Sequence, residues 1–159
     1  MIYIASDHAG YQLKEELKKF LDRNEYQIED LNPGEPDPQD DYPDAALLVA
    51  KKVIKTGEKG ILICGTGQGV CLAANKVAGI RAALAHDDFT GRMAAEHLNA
   101  NILCLGARVI DPEIAKKIIK SWLEADFLGE ERHARRLKKV KEIENDYQIS
   151  GNNAEKPEV

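Results

Sequence analysis

The chain has 159 residues, 43% of them hydrophobic and 31% charged, with a net charge of −5. That length and balance suit one globular domain with a sizeable core, and the acidic excess argues against a general nucleic-acid binder. No apolar run approaches the roughly 20 residues that span a bilayer, and Met1 leads straight into a strand-like segment, so a cytoplasmic protein without signal peptide or membrane anchor is expected.

Strand-like and helix-like segments then alternate along the chain. This predicts a single-domain, Rossmann-like, three-layer α/β fold on a five-stranded parallel sheet. Ile2 to Ser6 reads as the first strand, and Tyr11 to Arg23 as a helix with Leu13, Leu17, Phe20 and Leu21 at helical spacing. After a second strand, Gln27 to Leu31, the proline- and acid-rich stretch Asn32 to Asp41 is a surface loop, and its carboxylates fit no EF-hand. A helix from Pro43 to Thr56 starts on a proline suited to a first turn. A third strand covers Gly60 to Cys64, a helix Val70 to Val77, a fourth strand Ala82 to Ala85, a helix Asp88 to Leu98, and a fifth strand Ile102 to Gly106. Asp111-Pro112-Glu113 supplies an N-cap, an N1 proline and a first-turn acid for a helix to about Glu124. The last helix, Glu131 to Tyr147, carries Leu137, Val140 and Ile143 as a buried stripe, and its basic run is a solvated face. Arg132 and Arg136, four apart, share one side of it and can clamp a single phosphate. The domain is expected to occupy residues 1–147, and the polar tail 148–159 to be disordered.

The most informative stretch is Gly60 to Lys76. It sets Cys64 at the end of an apolar strand, where the chain enters a loop containing Gly65, Gly67 and Gly69. Such glycines bring backbone N–H groups close to a ligand, at a helix N-terminus that favours negative charge and a thiolate. The spacing is neither GxGxxG nor GxxxxGK[ST]. A tight strand-to-helix turn with a buried cysteine is an equally open account of this segment alone. Cys71 and Cys104 fall within apolar patterns and read as small core residues; the three cysteines form no CxxC pair, so neither a disulfide framework nor a zinc site is indicated.

In an open parallel sheet, ligands bind beyond the carboxyl ends of the strands, near the reversal of strand order. That rule gathers Asp7 and His8 after strand one, Cys64 and its loop after strand three, His86 and Asp87 after strand four, and Arg108 after strand five. His97 behaves differently. It closes a helix of about 11 residues and precedes strand five, so it belongs to the amino edge, roughly 17 Å from the other. It either complements its own helix dipole or serves the site of a neighbouring subunit.

Taken together, Ser6-Asp7-His8-Ala9-Gly10, Asp41-Tyr42-Pro43-Asp44, Gly60 to Lys76, Ala78 to Ala82, Gly106-Ala107-Arg108-Val109 and Arg132-His133 with Arg136 resemble the sugar-phosphate isomerases of the ribose-5-phosphate isomerase B type, a family that includes the galactose-6-phosphate isomerase subunits. The resemblance runs from Met1 to about Tyr147. It implies a homodimer or dimer of dimers with intersubunit sites and no metal or other cofactor, interconverting ribose 5-phosphate and ribulose 5-phosphate through an enediolate. It implies that Cys64 is the base and His97 the acid that helps open the furanose ring. Gly65, Thr66, Gly67, Gln68 and Gly69 would form the oxyanion cradle, with Thr66 in the catalytic set; Asp7 and His8 would contact the sugar; Arg108, Arg132 and Arg136 would hold substrate, chiefly its phosphate. Where the family commonly has asparagine after that histidine this chain has Leu98, which donates no hydrogen bond, followed by Asn99. Isomerisation of a hexose 6-phosphate, or non-catalytic binding of a sugar phosphate, are the alternatives. Cys64 and His97 together favour catalysis, because a binding module has no use for a proton-transfer pair.

Overall fold

The computed structural model describes residues 1–150, with side chains through residue 146. The expected tail lies outside the described residues from 151 on. Five strands, β1 (Ile2–Ser6), β2 (Ile28–Asp30), β3 (Lys59–Cys64), β4 (Ala82–Leu84) and β5 (Ile102–Gly106), form one all-parallel sheet in the order β2-β1-β3-β5-β4. The helices are α1 (Tyr11–Arg23), α2 (Tyr42–Thr56), α3 (Gln68–Ala74), α4 (Asp88–Glu96), α5 (Pro112–Glu124) and α6 (Glu131–Ser150).

Period-two alternation along each central strand feeds two separate cores. Ile2, Ile4, Ile61, Ile63, Leu103 and Leu105 point to the face covered by α1, α4 and α5, where Leu17, Leu21, Ile118 and Trp122 meet them. Tyr3, Ala5, Leu62, Cys64, Ile102 and Cys104 point to the face covered by α2 and α3, against Val49, Val53 and Val70. Most of these side chains are fully buried, so the central strands read as unbroken apolar runs.

Strand order sets the place of the site. The chain leaves β1 toward β2 on one side and toward β3 on the other, so the order reverses between β1 and β3, and their carboxyl ends open a crevice. Asp7 follows β1 there and Gly65 follows β3.

Contacts divide the chain into Met1–Phe127 and a second unit from Leu128 on. Within the second unit, Glu130, just before α6, pairs with Arg132 at 2.7 Å, and Arg135 pairs with Glu131 along the helix at 3.8 Å. The expected buried stripe on this helix is corrected. Leu137 is half-buried, but Val140 and Ile143 are 54% and 60% exposed. The helix also runs to Ser150, past Tyr147.

Candidate active site

β3 ends on Cys64, whose side chain is 4% exposed and turned toward the α2/α3 side of the sheet. The chain then makes a sharp turn that only glycine permits. Gly67 has φ +77, and a β-carbon on it would stand 2.5 Å from Leu84 Cδ1 and 2.9 Å from the Leu105 carbonyl carbon. This turn brings the Gly67 N–H to donate to Cys64 Sγ at 3.1 Å. Gly106 lets β5 pass close beneath: a β-carbon there would lie 2.6 Å from the Thr66 carbonyl. The Ala107 and Arg108 amides donate to the Cys64 and Gly65 carbonyls, both at 2.9 Å, so the thiol's backbone is fixed from the β5 side.

Asp7, Tyr42, Cys64, Gly65, Thr66, Gln68, Gly69, Leu72 and Arg108 surround an open cleft of about 500 Å³. The Arg108 guanidinium lies over Gly65, Nη1 being 3.3 Å from where a β-carbon on that glycine would stand. The buried Asp7 carboxylate caps a short 3-10 turn, His8–Gly10, accepting from the Gly10 N–H at 2.9 Å. Burial pushes this carboxyl above its ordinary value, while the Gly10 hydrogen bond and the His8 charge pull the other way. A thiol held by the Gly67 amide, a carboxylate and a guanidinium thus border one cleft.

His8 stands outside that cleft. Asp40 accepts both its backbone N–H at 2.9 Å and its Nδ1 at 2.7 Å, tying the loop before α2 to the 3-10 turn. The Asp40 hydrogen bond raises the imidazole pKa above the usual value. His97 caps the C-terminus of α4, before β5 begins, at the opposite edge of the sheet from Cys64. Leu98 is exposed, and Asn99, at φ +45, turns the chain into β5, which is why α4 ends at Glu96 and not at Leu98. Arg132 and Arg136 lie on α6, both exposed and four residues apart. At the end of β4, Asp87 is an N-cap for α4, accepting from the Thr90 N–H at 2.7 Å.

Two residues of the cleft were not among the expected site residues. Tyr42 packs its ring on Gly69, and Leu72, 60% exposed, rises from α3. Tyr42 sits in one of the segments that carry the resemblance, so a signal was present; nothing in the pattern around Leu72 separates it from a core leucine. Cys71 packs against the α2/α3-side core, as expected of a small core residue, but from its margin. It is half-buried, with its thiol brought down to about 7 by a hydrogen bond from Cys104, while burial drives the fully enclosed Cys104 thiol well up.

A doubly wound parallel sheet with a thiol, a carboxylate and a guanidinium gathered at its carboxyl edge places the chain in the class of α/β proteins that bind a small ligand at the switch point. Residues 2–140 match the family model described as Ribose/Galactose Isomerase, and the chain belongs to that family. A probable ribose-5-phosphate isomerase B of Mycoplasma pneumoniae is 49% identical over 140 residues, covering 87% of this chain and 91% of that one. The crystal structure of ribose-5-phosphate isomerase B from Mycoplasma genitalium with bound ribulose-5-phosphate superposes with a TM-score of 0.86 at 46% identity, over 91% of this chain and 95% of that chain. A D-erythrulose-4-phosphate isomerase of Pectobacterium atrosepticum is 43% identical, over 80% of this chain and 85% of that protein. Among the described residues, no helix is long and apolar enough to cross a membrane.

Proposed function

We propose that the chain is an aldose-ketose isomerase interconverting ribose 5-phosphate and ribulose 5-phosphate. The observation that carries this is Cys64 Sγ, held 3.1 Å from the Gly67 amide on the edge of a cleft that Asp7 and Arg108 also line. In the open-chain aldose the hydrogen on C2 is acidic because it neighbours the C1 aldehyde. Cys64 takes that proton, leaving an enediolate; the C2 hydroxyl proton passes to the C1 oxygen, and Cys64 returns the first proton to C1, so that C2 becomes the carbonyl carbon of the ketose. The charge that develops on the C1 oxygen faces the amides of Gly65 to Gly69 and Thr66; such donors contribute about 3–4 kcal/mol each to a transition state in measured cases. Asp7 orients the sugar hydroxyls from the cleft wall, and His8, beside it in the chain but outside the cleft, meets the part of the sugar that extends past the rim. Arginine suits bidentate phosphate contact: Arg108 offers it in the cleft, and Arg132 and Arg136, at one-turn spacing, offer it on α6; binding energy from this remote group fixes the flexible open chain for reaction.

Ring opening needs an acid, and this role falls to His97 of a second copy. In support, His97 and Cys64 occupy opposite edges of the same sheet, and the surface leaves Leu47, Leu48, Ile54, Leu72 and Leu98 between 42% and 60% exposed, apolar area that a second copy would cover. The three unpaired cysteines suit a reducing, cytoplasmic setting.

The deciding assay offers the purified protein ribose 5-phosphate, erythrulose 4-phosphate and hexose 6-phosphates side by side. Turnover is expected to be fastest on ribose 5-phosphate, and Cys64→Ser should lower kcat by about 10²–10⁴-fold with little change in binding. Preference for another sugar would reassign the substrate, and near-normal turnover of Cys64→Ser would remove the thiol from the chemistry.

A further inference from the structure

We infer that Lys14 is a positioning residue for the sugar-binding side of the cleft, acting through Asn32 on the end of β1 and so on Asp7 and His8. The inference rests on the isomerase assignment for what the cleft binds, and on the following geometry for the relay itself.

Lys14 lies on α1 and its side chain is essentially sealed from solvent. A lysine is rarely buried so fully unless each of its protons has a partner. Here Nζ donates to Asp30 Oδ1 at 3.1 Å, to the Asn32 backbone carbonyl at 2.7 Å and to Asn32 Oδ1 at 3.1 Å. Two of the three bonds therefore converge on one residue. Burial alone would raise the Asp30 carboxyl, but hydrogen bonds from Lys18 and Lys14 outweigh it and leave it below its usual value.

Asn32 passes this constraint on. β2 stops pairing at Asp30, yet β1 continues to Ser6, and the Asn32 carboxamide takes the place of the missing strand. Its Nδ2 donates to the Ser6 carbonyl at 2.6 Å and its Oδ1 accepts from the Ser6 N–H at 3.3 Å. On the other side, the Asp7 N–H donates to the Ile63 carbonyl at 3.2 Å, so the Ser6–Asp7 link is gripped from both neighbours. Lys14, Asn32, Ser6 and Asp7 line one cavity of about 200 Å³, and Asp7 also borders the larger cleft. Asn32 also lies near the start of the loop between β2 and α2 that carries Asp40, the partner of His8. One buried ammonium thus governs both residues assigned to the sugar, and none of the proton-transfer groups touches it.

The test uses the full chain with Lys14→Met, Asn32→Ala, the double variant, and Lys18→Met as a control that contacts the same Asp30. Lys14→Met and Asn32→Ala should each raise KM for ribose 5-phosphate by about fivefold or more while kcat per folded molecule stays within about twofold. The double variant should be no worse than either single one, because the two act in series. The titration by NMR of His8, whose ring bonds Asp40 and feels the Asp7 and Arg108 charges, should move down toward the ordinary imidazole value in both single variants and stay put in Lys18→Met. Unchanged KM and His8 titration, additive effects in the double variant, or a loss of kcat per folded molecule with KM unchanged would each overturn the relay. If Lys14→Met does not fold, Asn32→Ala decides by the same two readouts. Should the unaltered chain fail to turn over ribose 5-phosphate, the isomerase assignment falls, while the His8 titration still judges the relay.

Discussion

His8 shows how a side chain outside the cleft can still report on it. Its pKa is raised chiefly by the hydrogen bond to Asp40, with the Asp40 and Asp7 charges adding to the effect and Arg108 opposing it. A histidine whose folded value exceeds its unfolded one contributes stability that is full below the unfolded value, near 6.5, and lost as pH rises through the folded value. Asp40→Asn keeps an acceptor for the His8 N–H and removes the charge. The melting temperature of this variant should therefore fall below that of the parent at about pH 6 and converge with it by about pH 9. A gap of the same size at both ends of the range would assign the pair's contribution to the neutral hydrogen bonds.

The loop between β3 and α3 depends on one backbone conformation. Gly67→Ala should cost about 1–3 kcal/mol for the positive φ alone, and more because its β-carbon would meet Leu84 and the β5 backbone. Gly34 also has a positive φ, +103, but with open space around it, so Gly34→Ala should show only the backbone part. Denaturation midpoints of the two variants separate the terms, and equal losses would show that the loop is not tightly packed. Most of this architecture could be read from residue order. β1, β5, α1 and α5 lie where apolar periodicity, the Asp111 cap and Pro112 placed them, and the switch-point rule correctly drew Asp7, Cys64 and Arg108 to one edge. What pattern could not reveal is carried by bonds between distant residues. Asn32 extends the pairing of β1, Asn75 exchanges two 2.9 Å bonds with Ala82, and the Asn101 carboxamide bridges the Arg81 N–H and the Gly79 carbonyl. Each asparagine looks like an ordinary loop residue until the fold delivers its partner. The α6 stripe failed for the opposite reason: helical spacing at Val140 and Ile143 specifies a face but does not supply anything to bury it.

The sheet itself limits what one copy can do. Cys64 pairs with Gly106 at the carboxyl edge, and Ile102, four residues earlier on β5, marks the amino edge, a distance of roughly 13 Å at about 3.3 Å per residue. His97 lies beyond that amino edge, so a site that uses both groups draws them from different chains. Mixing inactive Cys64→Ala chains with inactive His97→Ala chains should then restore activity, because a re-formed dimer of one of each holds one site with both groups intact and one with neither. At random reassortment about half of the dimers are mixed and each has one good site of two, so recovery approaching about a quarter of the parent's activity is expected. Recovery should track the mixed-dimer population measured by native mass spectrometry of differently tagged chains. Confirmed exchange with no regained turnover would place the acid for ring opening elsewhere and return His97 to its other role, complementing the carbonyl end of α4.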